Sequence, residues 1–177
     1  MHVKARAAAF GGLSVALSIV CMSLGSIIES NTLFLLAAAS YFVGIIIREF
    51  GTKAGAAFYA ANVLLGMLIV PNKFYVLSYG AMGLYILLIE IAWRMMAQGG
   101  RKVQKRWIFW AVKYLVFNIL FIPSLIFFQE LFFARHLSMP FLAGVILVGQ
   151  FALWVYDQAY EYVQRHLWNK YRRKILG

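Results

Sequence analysis

Residues 74–128 read FYVLSYGAMGLYILLIEIAWRMM (74–96), AQGGRKVQKR (97–106) and WIFWAVKYLVFNILFIPSLIFF (107–128). A helix rising about 1.5 Å per residue needs about 20 apolar residues to cross about 30 Å of hydrocarbon, and both outer runs meet that length. Backbone N–H and C=O groups find no water in lipid, so runs of this kind must satisfy them internally, as helices. The short segment between them carries Arg101, Lys102, Lys105 and Arg106. Basic residues in short loops concentrate on the cytoplasmic side of a membrane. The stretch therefore predicts a transmembrane helical hairpin whose connection faces the cytoplasm.

Working outward, the same criterion gives six spans, at approximately 5–28, 33–47, 54–70, 74–96, 107–128 and 140–162, of which the second and third are short. Hydrophobic residues make up 63% of the chain and charged residues 13%, against about 25% charged in an ordinary soluble domain. A water-soluble fold could not hide so much apolar side chain. No Pro-, Gly- or Ser-rich stretch divides the 177 residues, which read as a single domain, an all-α integral membrane bundle of six helices.

Charge placement tests the topology independently. With the N-terminus inside, the cytoplasmic segments hold Lys4, Arg6, Arg48, Lys53, Arg94, Arg101, Lys102, Lys105, Arg106, Arg165, Lys170, Arg172, Arg173 and Lys174. The outer loops hold Lys73 and Arg135, and Lys113 falls inside a span. Fourteen against two predicts both termini in the cytoplasm. Trp93, Trp107, Trp110 and Trp168 fall near predicted cytoplasmic helix ends, where an indole sits well among headgroups.

A net charge of +11 would point to nucleic acid in a soluble protein. Here the bases lie between apolar runs, so the expected partners are anionic lipids and a cytoplasmic protein surface, with no nucleic acid. The N-terminal run exceeds the about 7–15 apolar residues of a secretory signal and lacks a convincing cleavage site, so it reads as a retained helix. The single cysteine, Cys21, lies inside the first run and allows neither an intramolecular disulfide nor a cysteine metal cluster. The first and last three helices show no convincing internal repeat, which leaves an inverted-repeat transporter unsupported.

Small residues at 5, 9, 12 and 16 follow one face of the first helix. Such a stripe lets another backbone approach closely where hydrophobicity no longer discriminates helix from lipid. It fits packing within the bundle, or a docking ridge for another membrane subunit.

With Ala5-xxx-Ala9 near the start of the first of six helices, the chain resembles the substrate-binding S components of energy-coupling factor (ECF) transporters. The resemblance covers the chain by size and topology and is specific by residue at Ala5 and Ala9. It implies a multi-pass bacterial cell-membrane protein that captures a vitamin or related micronutrient, or a metal ion, from outside. Such a protein docks through helix 1, here Ala5, Ala9 and Gly12, onto a membrane coupling subunit driven by two cytoplasmic ATPases. This sequence has no G-x-x-x-x-G-K-[ST] phosphate-binding loop, so the energy would come from those partners.

Polar residues inside spans are costly in lipid and usually face the bundle interior. Asn62, Asn118 and Gln150 fall near mid-membrane and Tyr79 on the outer part of helix 4. They suit a neutral polar ring around a small solute, or interhelical hydrogen bonds. On the outer side lie Glu29, Ser30 and Asn31, then Asn72, Lys73 and Tyr75, then Gln129, Glu130, Arg135 and His136. The resemblance makes these a binding mouth; solvated loop charge is the alternative. Pro71 ends helix 3, and Pro123 is expected to kink helix 5 beside Asn118.

Glu90, Lys113 and Asp157 sit at similar depth toward the cytoplasmic side, so the ammonium can pair with one or both carboxylates. They form a structural lock or a coupling and proton-relay set. Asp157 and Glu161 share a helix face, with Arg165 the expected neutraliser of Glu161. His2, His136 and His166 are scattered, and no metal, cofactor or catalytic constellation is recognisable. The chain is expected to be no enzyme. The rival to solute binding is a membrane scaffold similar in size to bacterial six-helix cell-shape proteins.

Overall fold

The computed structural model describes residues 2–97, 104–127, 139–170 and 172, with side chains placed except at 2–7, 29, 104–106, 126, 127 and 139. Among them are six long helices: α1 (His2–Ile27), α2 (Thr32–Phe50), α3 (Thr52–Ile69), α4 (Lys73–Ala97), α5 (Gln104–Phe127) and α6 (Met139–Tyr162). All six contain stretches long and apolar enough to cross a membrane. The chain forms two compact units, one of Met1–Ile91 with Tyr162–Gly177 and one of Ala92–Glu161.

In the first unit, α2 and α3 are separated by Gly51 alone. Its φ of +95° lies where L side chains are strained. The Gly51 N–H donates to the Ile47 carbonyl at 2.9 Å, closing α2, and the Gly51 carbonyl accepts from the Gly55 N–H at 3.0 Å, opening α3. Gly55 is required for space, because a Cβ there would collide with Cγ1 of Ile47. One glycine supplies the backbone conformation and the other the clearance. The two helices reverse without a loop.

Helix α1 joins this pair through a 3-10 turn at Glu29–Asn31. Thr32 Oγ1 donates to the Gly25 carbonyl at 2.8 Å across that turn, and buried Ser18 Oγ donates to the Ala39 carbonyl of α2 at 3.4 Å. Both α1 and α3 pack on α2, whose Leu36, Ala39, Val43, Ile46 and Ile47 are buried. Pro71 holds Val70 extended (φ −75°, ψ 127°), ending α3. Asn72 then starts α4, its Oδ1 accepting the Phe74 N–H at 3.0 Å. Glycines set the α3–α4 contact as well, since a Cβ on Gly83 would come within 3.0 Å of the Tyr59 ring.

The C-terminal part of this unit continues from α6 as a π-helical run, Val163–Trp168. Gln164 and Trp168, one turn apart, are buried. Gln164 Nε2 donates to the Tyr41 carbonyl at 3.5 Å, and Trp168 Nε1 donates to Glu49 Oε1 at 2.9 Å. Phe10 of α1 packs against both Trp168 and Phe50, at ring-centroid distances of 5.3 and 6.0 Å.

In the second unit, α5 runs through Pro123 to Phe127. It meets α6 where Phe121 faces Gly149, a position at which a Cβ would lie 2.6 Å from the ring. Trp93, at the end of α4, packs on Phe109 at 4.9 Å.

Helices extend beyond the spans expected from hydropathy. The second runs to Phe50 rather than residue 47, and the fifth begins at Gln104 rather than 107. Charge ends the apolar run, not the helix: Arg48 and Glu49 keep the backbone ladder while their head groups find partners. Arg48 is thus a helical residue, not a loop residue.

Gly55→Ala is expected to destabilise the protein by about 1–3 kcal/mol through overpacking against Ile47. Gly12→Ala is the control, because a Cβ there meets nothing within 4 Å. Thermal unfolding of the two purified variants makes the comparison.

Candidate functional site

Three buried polar side chains of the first unit lack complete hydrogen bonding: Gln164, whose Oε1 has no partner, and two that lie on the neighbouring helices α3 and α4. Asn62, on α3, is 0% exposed; its Nδ2 donates to the Phe58 carbonyl at 2.9 Å, while Oδ1 has no partner. Tyr79, on α4, is also 0% exposed, and its hydroxyl has no partner. Between these helices, Tyr59 donates to the Gly80 carbonyl at 3.0 Å and stacks on Tyr79 at 6.4 Å between centroids. Tyr59 and Asn62 lie at i, i+3, on one face of α3.

An unpaired buried donor or acceptor costs about 1–3 kcal/mol, so native structures rarely leave one without water or a ligand. Together they offer an amide acceptor and a phenol that can donate or accept, next to stacked aromatic rings. This set suits a small neutral molecule. Tyr59 was not among the residues expected here. The pattern that would have found it is Tyr59 and Asn62 on one helix against Gly80 and Gly83 on the next.

The other two amides, in the second unit, pair with each other: Gln150 Nε2 donates to Asn118 Oδ1 at 2.7 Å, and Asn118 Nδ2 donates to the Tyr114 carbonyl at 2.8 Å. Asn118 and Gln150 thereby tie α5 to α6. Unlike Asn62 and Tyr79, neither has a buried polar atom without a partner.

One turn away along α5, Lys113 is buried with its Nζ 2.7 Å from Asp157 Oδ2 and 2.9 Å from Glu161 Oε1. The ammonium also lies 4.6 Å from the Phe109 ring centroid and 5.0 Å from that of Trp110. Glu161 takes this cation because it lies one turn beyond Asp157 on the same face of α6. Glu90 meets a cation absent from the expected set: Arg48 Nε donates to Glu90 Oε1 at 2.9 Å. Arg48 reaches α4 because α2 continues past the apolar run. Glu49 in turn accepts Trp168 Nε1 and, at 3.0 Å, Arg172 Nε. Every carboxylate among the described side chains, Glu49, Glu90, Asp157 and Glu161, is ion-paired.

At the α3–α4 turn, Asn72 caps α4 and Lys73 Nζ donates to the Val70 carbonyl at 2.8 Å, so both are engaged in the turn; Tyr75 is half-buried. Of the small-residue face, Ala9 and Gly12 are exposed; Ala5 lies on α1, its side chain outside the described set. Gln129, Glu130, Arg135 and His136 lie outside the described residues. Among the described residues, no group of three His, Cys, Asp or Glu side chains is placed to hold a metal ion.

No family model, curated protein or solved structure matches this chain. What defines the class of protein is its own architecture: six helices of membrane-spanning length with polar side chains placed among them.

Lys113→Met would leave Asp157 and Glu161 without their shared cation, and a loss of about 3–5 kcal/mol is expected. Adding Asp157→Leu and Glu161→Gln should restore most of it. Chemical denaturation of the single and triple variants reads both changes; a single variant as stable as the parent would mean that the ion set holds nothing together.

Proposed function

We propose that the chain is inserted in a bacterial cell membrane with both termini in the cytoplasm and serves as a solute-binding subunit, resembling ECF S components. It captures a small neutral solute, of the size of a vitamin, from the outer face. A membrane coupling subunit and two cytoplasmic ATPases supply the energy for uptake. The observation that carries this reading is the unsatisfied pair, Asn62 Oδ1 and Tyr79 Oη, buried beside the stacked Tyr59. Further support comes from the open Ala9 and Gly12 face of α1, against which a partner helix can pack closely.

Mass spectrometry of the gently purified protein tests the solute. A bound small molecule is expected in the parent and lost in Tyr79→Phe combined with Asn62→Leu, with thermal unfolding retained. Ala9→Leu is expected to abolish co-purification of the coupling subunit and ATPases while leaving that solute bound. Survival of both association and uptake in Ala9→Leu would remove the docking assignment.

The Asn118–Gln150 bond favours a second reading, a membrane scaffold whose polar residues serve assembly. A protein that carries lipid alone and supports no uptake in cells with intact ATPases belongs to that reading.

A further inference from the structure

A groove of about 360 Å³ runs between the N-terminal halves of α1 and α3. Gly11 and Gly12 form one wall, Ala57 and Ala61 the other, and Phe50 and Phe58 also line it. A Cβ added at Gly11 or Gly12 meets nothing within 4 Å, so the glycines leave open space that no part of this unit fills. A helix, about 10–12 Å across with its side chains, can lie over this groove but cannot enter it. A single hydrocarbon chain, slender and without polar groups, matches its calibre and its lining.

The end of the groove carries the complementary charge. Lys53 is exposed and lies between Phe50 and Ala54, both of which line the groove. No carboxylate among the described side chains pairs with it, whereas the neighbouring cations Arg48 and Arg172 are held by Glu90 and Glu49. Lys53 also stands in the first turn of α3, where backbone N–H groups without helical partners favour an anion. Lys4 and Arg6 precede the groove residues on α1.

We propose that this groove is a binding site for one anionic phospholipid, with an acyl chain lying along Gly11, Gly12, Ala57 and Ala61 and the phosphate at Lys53. The proposal rests on membrane insertion but not on solute uptake, so a chain that binds no solute still retains the lipid.

The test reconstitutes the full chain in vesicles of equal phosphatidylglycerol and phosphatidylcholine, extracts it gently, and counts retained lipids by native mass spectrometry. The parent is expected to keep one phosphatidylglycerol, favoured about fivefold over phosphatidylcholine. Lys53→Gln should retain a lipid with that preference lost. Gly11→Leu fills the groove from a position with free space and should lose lipids of both kinds; Ala57→Leu does so from the opposite wall, and unchanged thermal unfolding shows that each has folded. Equal retention of both lipids by the parent overturns the headgroup assignment. Unchanged retention in both leucine variants overturns the site, as does a dimer mass that vanishes in Gly11→Leu, which would place a second copy of the chain on this face.

Discussion

The reversal at Gly51 and Gly55 is the constraint on which the first unit depends. With one residue between α2 and α3, the helices must separate immediately or lie in contact, and the missing Cβ at Gly55 permits contact with Ile47. That contact fixes α3 on α2, which presents Tyr59 toward α4 and leaves a groove between α3 and α1. It also sets the end of α2, so that Arg48, Glu49 and Phe50 emerge together where Glu90, Trp168 and Phe10 meet them. The clearance of one side chain thus positions the polar pair, the groove and the ionic contacts.

Polar contacts take over where apolarity stops discriminating. A helix whose outside and inside are equally greasy gains little orientation from hydrophobic burial, so close approach at glycines and pairing of polar groups decide its rotation. Gln150 with Asn118, and Lys113 with Asp157 and Glu161, do this for α5 and α6. Against that pattern, the unpaired atoms of Asn62 and Tyr79 stand apart. The same chain that pairs four carboxylates and joins two amides leaves a phenol and two amide oxygens, those of Asn62 and Gln164, buried without partners, and the phenol and the Asn62 oxygen lie on neighbouring helices. Stability alone does not favour that arrangement, which is why a ligand is the reading it supports.

Some of the candidate site was legible from sequence and some was not. Asn62, Tyr79, Asn118 and Gln150 stood out because polar atoms inside apolar runs are rare. Their division into an engaged pair and an unsatisfied pair was invisible, because it depends on which helix faces which. Asn72 and Lys73 read as loop groups open to a solute, yet both bond within the turn that starts α4. Similar depth offers Lys113 to Glu90, to Asp157 or to both; the structure pairs Lys113 with Asp157 and gives Glu90 the Arg48 guanidinium. Depth is a one-dimensional quantity; pairing requires azimuth as well.

The sequence by itself determined that this is an all-helical chain with six segments of membrane-spanning length, because hydropathy and helix rise are local properties summed along the backbone. The tertiary structure alone decided that Gly55 is a packing glycine, that Glu161 shares the cation of Asp157, and that Trp168 closes on Glu49 through a π-helical run. Those outcomes rest on contacts between residues up to 119 positions apart. Their strength depends on ångström distances and helix rotation, which no local pattern of residues specifies.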